Sequence, residues 1–370
     1  MSSNIRIDVP EKAKKVVNTI QAAGFEAYVV GGCVRDSILG RQPQDWDITT
    51  SAKPEQVKAL FPRTIDTGLQ HGTVTVMQDR EGFEVTTYRI DGEYEDSRHP
   101  KEVVFTPNLE EDLKRRDFTI NAMAYNEEKG LVDIFGGMED IRLGRIRCVG
   151  RAEERFGEDA LRMLRAIRFS AQLGYEIDEE TKQGIRRLAP TLKNISAERI
   201  QTELVKMLVS PHPDYLRTAY DMGVTKVFFP EFDRAMETEQ HHPHHMYSVG
   251  EHILHSLAYV PADKVLRLTM LLHDIGKPVL RAGGQSGDHS SLGYAYLKKL
   301  WPKDQDILDC VRLHHAAALR AAQPADSSIA WITCIADNIS AAADRRSIDT
   351  EETGFRRYLP LAPVFSHMNG

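Results

Sequence analysis

The sequence predicts an α/β head, a small mixed sheet with helices, followed by a largely helical remainder. Three observations lead to this prediction. An apolar stretch at residues 27–30 runs directly into a glycine pair and a helical pattern. Segments with alternating polarity at 72–77 and 83–90 are typical of half-buried strands. Later in the chain the apolar residues follow the helical repeat, as at 155–173.

Length and composition restrict the class of protein. With 370 residues, 41% hydrophobic and 27% charged, the chain suits about two to four modules. No apolar run approaches the roughly 18 residues of a membrane span, and the first residues do not resemble an export signal. The cysteines lack the spacing of a zinc ribbon or a disulfide framework (Cys33, Cys148, Cys310 and Cys334). We therefore expect a cytoplasmic protein with no membrane partner, whereas nothing indicates an oligomeric state.

A strand, a glycine pair and a helix follow a first helix predicted at 11–23. Glycine lets backbone N–H groups approach an anion, and the helix N-terminus that follows Gly31-Gly32 adds a favourable dipole. An ordinary turn is the alternative, because most such pairs are turns. Arg35 and Asp36, at the entry of the helix, favour a triphosphate clamp.

Two aspartates, Asp45 and Asp47, lie one residue apart in a strand-like stretch. Side chains at i and i+2 of an extended segment point to the same face, so both carboxylates can converge on one site. A hard cation would remove their repulsion, and Mg²⁺ prefers one or two carboxylates together with phosphate oxygens. Glu84 is a candidate third carboxylate, with an exposed strand glutamate as the alternative. The pattern predicts a site for Mg²⁺ and a nucleoside triphosphate.

The net charge of −7 is the opposite of a typical nucleic-acid binder, so a polyanion must meet a local basic patch. One candidate is a run of eight arginines (Arg142, Arg145, Arg147, Arg151, Arg155, Arg162, Arg165 and Arg168), followed by Arg186, Arg187, Lys193 and Arg199. Arginine forks match phosphate geometry and stack on bases. The alternative is a solvated helix face laced with Glu153, Glu154 and Glu158.

Four blocks resemble the class II tRNA nucleotidyltransferase and bacterial poly(A) polymerase family. They occur in order at residues 31–36, 45–47, 84–89 and 115–124, reading GGCVRD, DWD, EVTTYR and RRDFTINAMA. The resemblance implies a polymerase-β-like nucleotidyltransferase head. In it Asp45 and Asp47 would bind Mg²⁺ and Glu84 would be the third catalytic carboxylate. The nucleotide-binding residues implied for this head are Gly31, Gly32, Arg35 and Asp36 on the triphosphate side, with Arg115, Asp117 and Asn121 along the sugar and phosphates.

The segment Glu158-Asp159-Ala160-Leu161-Arg162 lies in the helix predicted at 155–173. Its acid and arginine, taken alone, indicate a surface ion pair at i, i+3. The resemblance implies instead that Asp159 and Arg162 hydrogen-bond the incoming base and select C and A. A carboxylate accepts from an exocyclic amine and a guanidinium donates to ring nitrogen or carbonyl, whereas G and U would leave buried polar groups unpaired.

Four further residues in this region are expected to support base reading or the neck helices. Arg165 and Arg168, later in the same helix, are expected either to support the base-reading pair or to contact RNA phosphate. Ser196 is predicted to cap a following helix, in which the resemblance makes Arg199 a brace.

The motif His273-Asp274-Ile275-Gly276-Lys277, with the upstream His252, resembles the HD superfamily of metal-dependent phosphohydrolases. The resemblance implies an all-α HD domain in which His252, His273, Asp274 and Asp337 bind one or two divalent transition metal ions. A structural His-Asp pair is the alternative. Accessory candidates are His289 and either His314 or His315, and a histidine run, 241–245, precedes the motif.

These assignments divide the chain into a head (1–137), a helical neck (138–210), a helical body or link (211–240) and the HD domain (241–370). The leading hypothesis is addition of CCA to the 3′ end of tRNA from CTP and ATP. A polar excursion at 91–109 resembles the flexible loop of CCA-adding enzymes and favours this hypothesis. Alternatives are an A-adding enzyme, a poly(A) polymerase, an HD phosphohydrolase with a nucleotide-sensing head, and a non-catalytic RNA-binding protein.

Overall fold

The computed structural model describes residues 5–92, 103–240, 247–282 and 287–343. The elements of the first part are α1 (Glu11–Ala22), β1 (Ala27–Val30), α2 (Gly32–Ile38), β2 (Ile48–Thr50), α3 (Pro54–Leu60), β3 (Thr64–Gly68), β4 (Thr73–Gln78), β5 (Glu81–Thr87), β6 (Arg89–Asp91), β7 (Val103–Phe105), α4 (Leu109–Lys114), β8 (Met123–Asn126), β9 (Gly130–Asp133), α5 (Gly137–Arg142) and β10 (Arg145–Ile146).

The second part is helical apart from one short strand. Its elements are α6 (Ala152–Glu158), α7 (Leu161–Leu173), β11 (Glu176–Ile177), α8 (Glu179–Leu188), α9 (Ala197–Leu208), α10 (Leu216–Asp221), α11 (Thr225–Phe228), α12 (Pro230–Glu237), α13 (Val249–Leu257), α14 (Lys264–Leu272), α15 (Gly276–Arg281), α16 (His289–Leu300), α17 (Gln305–Leu313), α18 (Ala316–Ala322) and α19 (Ala330–Ala343). No helix in the described part of the chain combines the length and apolar character needed to cross a membrane.

The head is built on a mixed sheet with the strand order β3-β4-β5-β2-β1-β8-β9. β1 runs antiparallel to both β2 and β8, whereas β2 and β5 are parallel. The α/β head followed by helices confirms the predicted fold class. The sequence patterns did not indicate β3, β8 and β9. β8 is buried at every residue, so it lacks the polar alternation by which a strand is recognised.

Alternation along the strands sorts side chains onto two faces of this sheet. Val29, Ile48 and Val85 belong to the core beneath α1 and α3. Tyr28 and Tyr88 belong to a smaller core on the opposite face, which α4 covers. Because successive strand residues point to opposite faces, the residues that immediately precede Ile48 and Val85 are directed toward the second face.

One large hydrophobic core joins most helices of the second part, and a small separate cluster lies around Cys310, Leu319, Ala330 and Cys334. A single cluster of buried residues extends from Phe118 through Ile167 on α7 and Met207 on α9 to Leu271 on α14 and Ala336 on α19. The expected neck, link and HD modules are therefore packed against each other without a break in the core.

Two sequence-based expectations need correction. The helix predicted at 155–173 is interrupted, because α6 ends at Glu158 and Asp159 has an extended backbone (φ −142°, ψ 106°). Ser196 precedes α9 as predicted, yet its side chain makes no capping hydrogen bond.

Replacing Gly276 with alanine should lower the melting temperature by several degrees. A Cβ at Gly276 would lie 2.7 Å from the backbone nitrogen of Gly293 and would also clash with the carbonyl oxygen of His289, so α15 and α16 must separate. Overpacking of this kind costs about 1–3 kcal/mol or more. Circular dichroism during heating measures the effect.

Gly157→Ala is the matched control. Gly157 lies in α6, where no described atom lies within 4 Å of an added Cβ, and alanine favours a helix over glycine by about 1 kcal/mol. Equal melting temperatures for Gly276→Ala and the wild type would contradict the close approach of α15 to α16.

Candidate active site

The head carboxylates lie where β2 begins. Asp45 and Asp47 precede β2 rather than lying inside it, but the carbonyl of Asp47 accepts a hydrogen bond from the Val30 N–H (3.0 Å), which extends the pairing with β1. Ile48 pairs with Val85 in the parallel register, so Asp47 stands beside Glu84 one residue earlier. Neighbouring strands are about 4.8 Å apart, so Asp47 and Glu84 face the same side of the sheet.

The charge balance of this group fits a bound cation. Burial raises the pKa of Asp47, Arg116 opposes the shift, and Glu84 and Asp45 add to it. All three carboxyl side chains nevertheless reach solvent, and none has a hydrogen bond or ion pair with a described residue. Their oxygens are not all within 4.8 Å of one another, as like charges repel. Exposed carboxylate oxygens of this kind suit Mg²⁺, whose coordination shell is completed by waters and phosphate oxygens.

Gly31 and Arg116 form the adjacent wall. Gly31 has φ +84°, which disfavours any side chain, and a Cβ there would lie 3.0 Å from Nη1 of Arg116. The Nε of Arg116 is buried without a partner among the described residues. Both Arg115 and Arg116 reach Asp112, with Nη2 of Arg115 2.7 Å and Nη2 of Arg116 3.6 Å from its carboxylate. Arg116, which the sequence analysis did not single out, also opposes the rise in the pKa of Asp47.

A hydrogen-bonded network joins the head to α7. Asp117 accepts from Nε (2.8 Å) and Nη2 (2.6 Å) of Arg165 and, through its other oxygen, from the Asn121 side chain (3.1 Å). Asn121 in turn accepts from Nη1 of Arg35 (2.6 Å), whose Nη2 lies 2.8 Å from Asp36. Burial opposes ionisation of Asp117, but Arg165 outweighs it and lowers the pKa. The structure thus brings these five predicted site residues together.

Asp159 and Arg162 lie at the start of α7, and each has a different partner. The carboxylate of Asp159 accepts from Nη2 of Arg199 (2.7 Å) and from the Leu161 N–H (3.0 Å). Arg162 donates to Glu158 (2.5 Å) and to the carbonyl of Arg115 (3.1 Å). The i, i+3 argument for a helical pair is wrong, because Asp159 occupies the break between α6 and α7. The break turns its carboxylate toward α9.

Arg168 supports the neck. Its Nε lies 2.5 Å from Glu203 on α9, Nη1 donates to Gln172 (2.7 Å), and the guanidinium covers the ring of Phe169 at 3.8 Å. The side chain is buried, which disfavours contact with RNA phosphate. These partners do not include Asp159 or Arg162, so support of the base-reading pair stays a prediction.

The arginine run does not form an unneutralised basic patch. Every arginine from 142 to 168 has a carboxylate partner, the pairs being Arg142–Glu139, Arg145–Asp140, Arg147–Asp140, Arg151–Glu153, Arg155–Glu158, Arg162–Glu158, Arg165–Asp117 and Arg168–Glu203. Arg186 and Arg187 pair with Glu179 and Glu153. These ion pairs neutralise the run, but the pairs Arg165–Asp117 and Arg168–Glu203 lie partly or wholly inside the fold and do not form a solvated helix face.

The helical half contains two groups of candidate metal ligands. His252, His273 and Asp337 form one, and His289, His314 and His315 form the other, with ligand atoms within 4.8 Å inside each group. Asp274 lies between them. One of its oxygens is 3.5 Å from Nε2 of His273, and the other is 3.4 Å from Nε2 of His289 and 3.7 Å from Nε2 of His314. The predicted ligands are thus together, and both His314 and His315 join them.

The donor chemistry of these groups fits divalent transition metals. Nδ1 of His273 lies 2.7 Å from the Met270 carbonyl and Nδ1 of His314 lies 2.7 Å from the Val311 carbonyl, which leaves each Nε2 toward the centre. Burial lowers the pKa of His289 to about 4 and that of His314 to about 3, so both rings are neutral ligands at pH 7. Mixed imidazole and carboxylate donors suit such ions.

Asp274 has the features of a bridging ligand. It is buried, one oxygen has no hydrogen-bond partner among the described residues, and the other lies 2.7 Å from Nζ of Lys277. Burial opposes its ionisation, but Lys277 and His273 lower the pKa of Asp274 and keep it charged. Two expectations lie outside the described residues: most of the polar excursion (93–102) and the histidine run (241–245).

Comparisons with protein families match most of the chain. The family described as "Poly A polymerase head domain" matches residues 27–147, "Probable RNA and SrmB- binding site of polymerase A" matches 174–236, and "HD domain" matches 240–342. These matches follow the predicted order of head, neck and HD domain.

Curated relatives match about half of their own length. A CCA-adding enzyme of Lactobacillus helveticus (strain DPC 4571) is 54% identical over 205 residues, which are 55% of this chain and 51% of that protein. A CCA-adding enzyme of Lactiplantibacillus plantarum (strain ATCC BAA-793 / NCIMB 8826 / WCFS1) is 52% identical over 203 residues, 55% of this chain and 50% of that protein. The chain therefore spans about half the length of these relatives.

Solved structures match over a larger share. The Thermotoga maritima CCA-adding enzyme complexed with tRNA shares the fold (TM-score 0.60, 20% identity, 89% of this chain and 79% of that chain). The Bacillus stearothermophilus CCA-adding enzyme in complex with CTP has a TM-score of 0.62 and 33% identity, covering 90% of this chain and 82% of that chain. At that identity and coverage, the chain belongs to the CCA-adding enzyme family, with an HD domain as its last recognised unit.

Proposed function

We propose that the protein adds CCA to the 3′ end of tRNA from CTP and ATP, one nucleotide at a time, with release of pyrophosphate. The observation that carries this proposal is the short link, through Arg115 and Arg116, between the base-reading residue Arg162 and the carboxylate site. Arg162 donates to the carbonyl of Arg115, and the next residue, Arg116, acts electrostatically on Asp47. The relatives described as complexes with CTP and with tRNA support the same substrates.

In this proposal the head (1–137) performs the transfer. The tRNA 3′ oxygen forms a bond to the α-phosphorus, the bond from that phosphorus to pyrophosphate breaks, and the hydroxyl proton passes to solvent. Mg²⁺ bound by Asp45 and Asp47, with Glu84 beside them, supplies activation of the hydroxyl and charge neutralisation. Arg35 and Arg116 balance the charge of the triphosphate, since arginine forks match phosphate oxygens.

Residues 138–210 would read the base without a nucleic-acid template. Asp159 accepts from the exocyclic amine that C and A share, and Arg162 donates to the adjacent ring position. Arg199 holds the Asp159 carboxylate and so sets its direction. We place the reaction in the cytoplasm, where the buried free thiols of the chain stay reduced.

Single-nucleotide assays on tRNA ending at the discriminator base, at C and at CC test the proposal. We expect addition of C, C and then a single A, read by sequencing the products. Asp47→Ala should abolish incorporation while tRNA affinity stays within about twofold, because the substitution removes a metal ligand and not an RNA contact.

A long A tail in this assay would select a poly(A) polymerase, and addition of only the last A would select an A-adding enzyme. Incorporation by Asp47→Ala at the wild-type rate would contradict the metal assignment. Asp66→Ala, on the exposed strand β3, is the control for loss of one acidic residue.

Loss of Arg199 should relax nucleotide selection. Arg199→Ala leaves the Asp159 carboxylate without its partner at 2.7 Å, so its direction toward an incoming amine is no longer set. We expect UTP and GTP misincorporation to rise about tenfold or more, in line with 1.4 kcal/mol per factor of ten. Asp159→Ala and Arg162→Ala should show the same change.

The control is Arg187→Ala, which removes an arginine from an exposed ion pair with Glu153. Selection against UTP and GTP should remain at the wild-type level in that variant. If Arg199→Ala also selects CTP and ATP as the wild type does, base recognition does not depend on the Asp159 carboxylate.

A second activity is favoured by one observation, the buried oxygen of Asp274 without a partner between two groups of metal ligands. We propose that the HD domain (241–370) uses one or two divalent transition metals to hydrolyse a phosphoester, with residues 211–240 as its link to the neck. The metals supply an activated water, and the protein provides the buried imidazole and carboxylate donors. A head that only senses nucleotides is not favoured, since its carboxylates are open to solvent.

Asp274→Ala should remove the metal and any phosphodiesterase activity while CCA addition continues. Metal content by mass spectrometry and hydrolysis of bis-p-nitrophenyl phosphate are the measurements. Asp306→Ala, an exposed acid on α17, is the control. Loss of CCA addition together with hydrolysis would indicate that Asp274 is structural.

A further inference from the structure

The ring of Phe169 is contacted by three arginines. The guanidinium carbons of Arg168, Arg35 and Arg165 lie 3.8, 5.0 and 5.4 Å from the ring centroid. Phe169 is 6% exposed and meets Phe118 edge to face at 5.9 Å. Arg35 comes from α2 of the head, whereas Phe169, Arg165 and Arg168 belong to α7. The ring therefore lies at the junction between the two.

Each of these arginines has its own carboxylate. Arg35 lies 2.8 Å from Asp36, Arg165 lies 2.6 Å from Asp117 and Arg168 lies 2.5 Å from Glu203. The three positive charges are thereby compensated and can surround one ring. The face of an aromatic ring attracts a cation, and the attraction is stronger at a site shielded from water.

Phe169 completes a row of contacts from α7 to the head. Residues 162, 165 and 169 are spaced three and four apart, so they share one face of α7. Along this face Arg162 reaches the carbonyl of Arg115, Arg165 reaches Asp117, and Phe169 reaches Arg35. The same face thus carries a base-reading residue at one end and a contact to the triphosphate side at the other.

While it lies beside Phe169, Arg35 keeps guanidinium N–H groups available to bind a ligand. Nε and Nη2 are directed to Asp36 and Nη1 to Asn121. A guanidinium has five N–H groups, so two remain for an anion. The side chains of Asp36 and Asn121 hold one edge of the Arg35 guanidinium. The ring of Phe169 limits movement of the guanidinium plane.

We infer that Phe169 is a positioning residue for nucleotide transfer, whose ring holds Arg35 against the nucleoside triphosphate at a set distance from the base-reading residues. This inference rests on the proposed function. The positioning role differs from simple packing. An aliphatic side chain could fill the same space in the core, but it has no aromatic face that attracts a cation. The electrostatics of the ring, as well as its volume, should then affect catalysis.

A fluorination series at Phe169 separates the two roles. Mono-, di- and trifluorophenylalanine keep the shape of the ring while progressively removing charge from its face. We expect kcat/KM for CTP and ATP to fall stepwise, by about 3- to 30-fold in the trifluoro protein, if Arg35 loses its contact. The effect should appear in KM for the nucleotide, with KM for tRNA unchanged. A flat series would overturn the inference.

The same series in an Arg35→Ala background shows whether the ring acts through Arg35. Single-turnover rates there should be independent of fluorination, whereas an equal stepwise fall would mean that the ring acts through Arg165 or Arg168 and would overturn the inference. Phe169→Leu should lower kcat/KM as the trifluoro protein does, and Phe169→Trp should retain it.

Phe156 provides the matched control. It is 1% exposed in the same hydrophobic core and has no arginine over its ring among the described residues. Fluorination of Phe156 should leave KM for nucleotides unchanged, and a fall equal to that at Phe169 would overturn the inference. Absence of nucleotide addition by the wild type would defeat the proposed function itself, whereas a normal wild type with a flat Phe169 series defeats only the role of the ring.

Discussion

The ion pair between Asp117 and Arg165 is the interaction on which the transfer site depends. Asp117 is buried, and its carboxylate stays ionised because Arg165 holds it from α7 while Asn121 donates from the head. Removing Arg165, which is itself partly exposed, would leave the buried Asp117 carboxylate without its main compensation. Arg165 on α7 holds Asp117, Asp117 holds the Asn121 side chain, and Asn121 accepts from Arg35. The orientation of Arg35 therefore depends on where α7 lies.

The carboxylates that join the head to the neck differ from those of the two candidate sites in their partners. At the junction of head and neck the carboxylates of Asp117 and Glu203 each pair with an arginine, so their negative charges are compensated. Asp274 has an oxygen with no partner, and the three head carboxylates have none among the described residues. Carboxylates without such partners, whether open to solvent or surrounded by neutral imidazoles, are the candidates for cation binding. The protein thus separates structural acids from ligand acids by their partners.

Several site residues could be predicted because their chemistry is local. Asp45 and Asp47 need only the two-residue repeat of an extended segment, and Gly31 needs only its positive φ. His273 and Asp274 are adjacent. In contrast, Asp159 has its partner 40 residues away in Arg199, and a helical repeat continues across the break at Asp159 without revealing it. Periodicity reports which face is apolar and does not report where the backbone turns.

The sequence by itself predicted the order of the units, the candidate carboxylates of the head and the candidate histidine and aspartate ligands of the HD domain, because each of these patterns is encoded by short-range spacing. Tertiary structure alone decided the partners. It brought both Arg115 and Arg116 to Asp112, and it placed His314 and His315 together with His289. It also neutralised the arginine run with acids such as Asp117 and Glu203, which lie 48 and 35 residues from Arg165 and Arg168. The physical reason is that charge compensation depends on distance in space, which the folded chain alone defines.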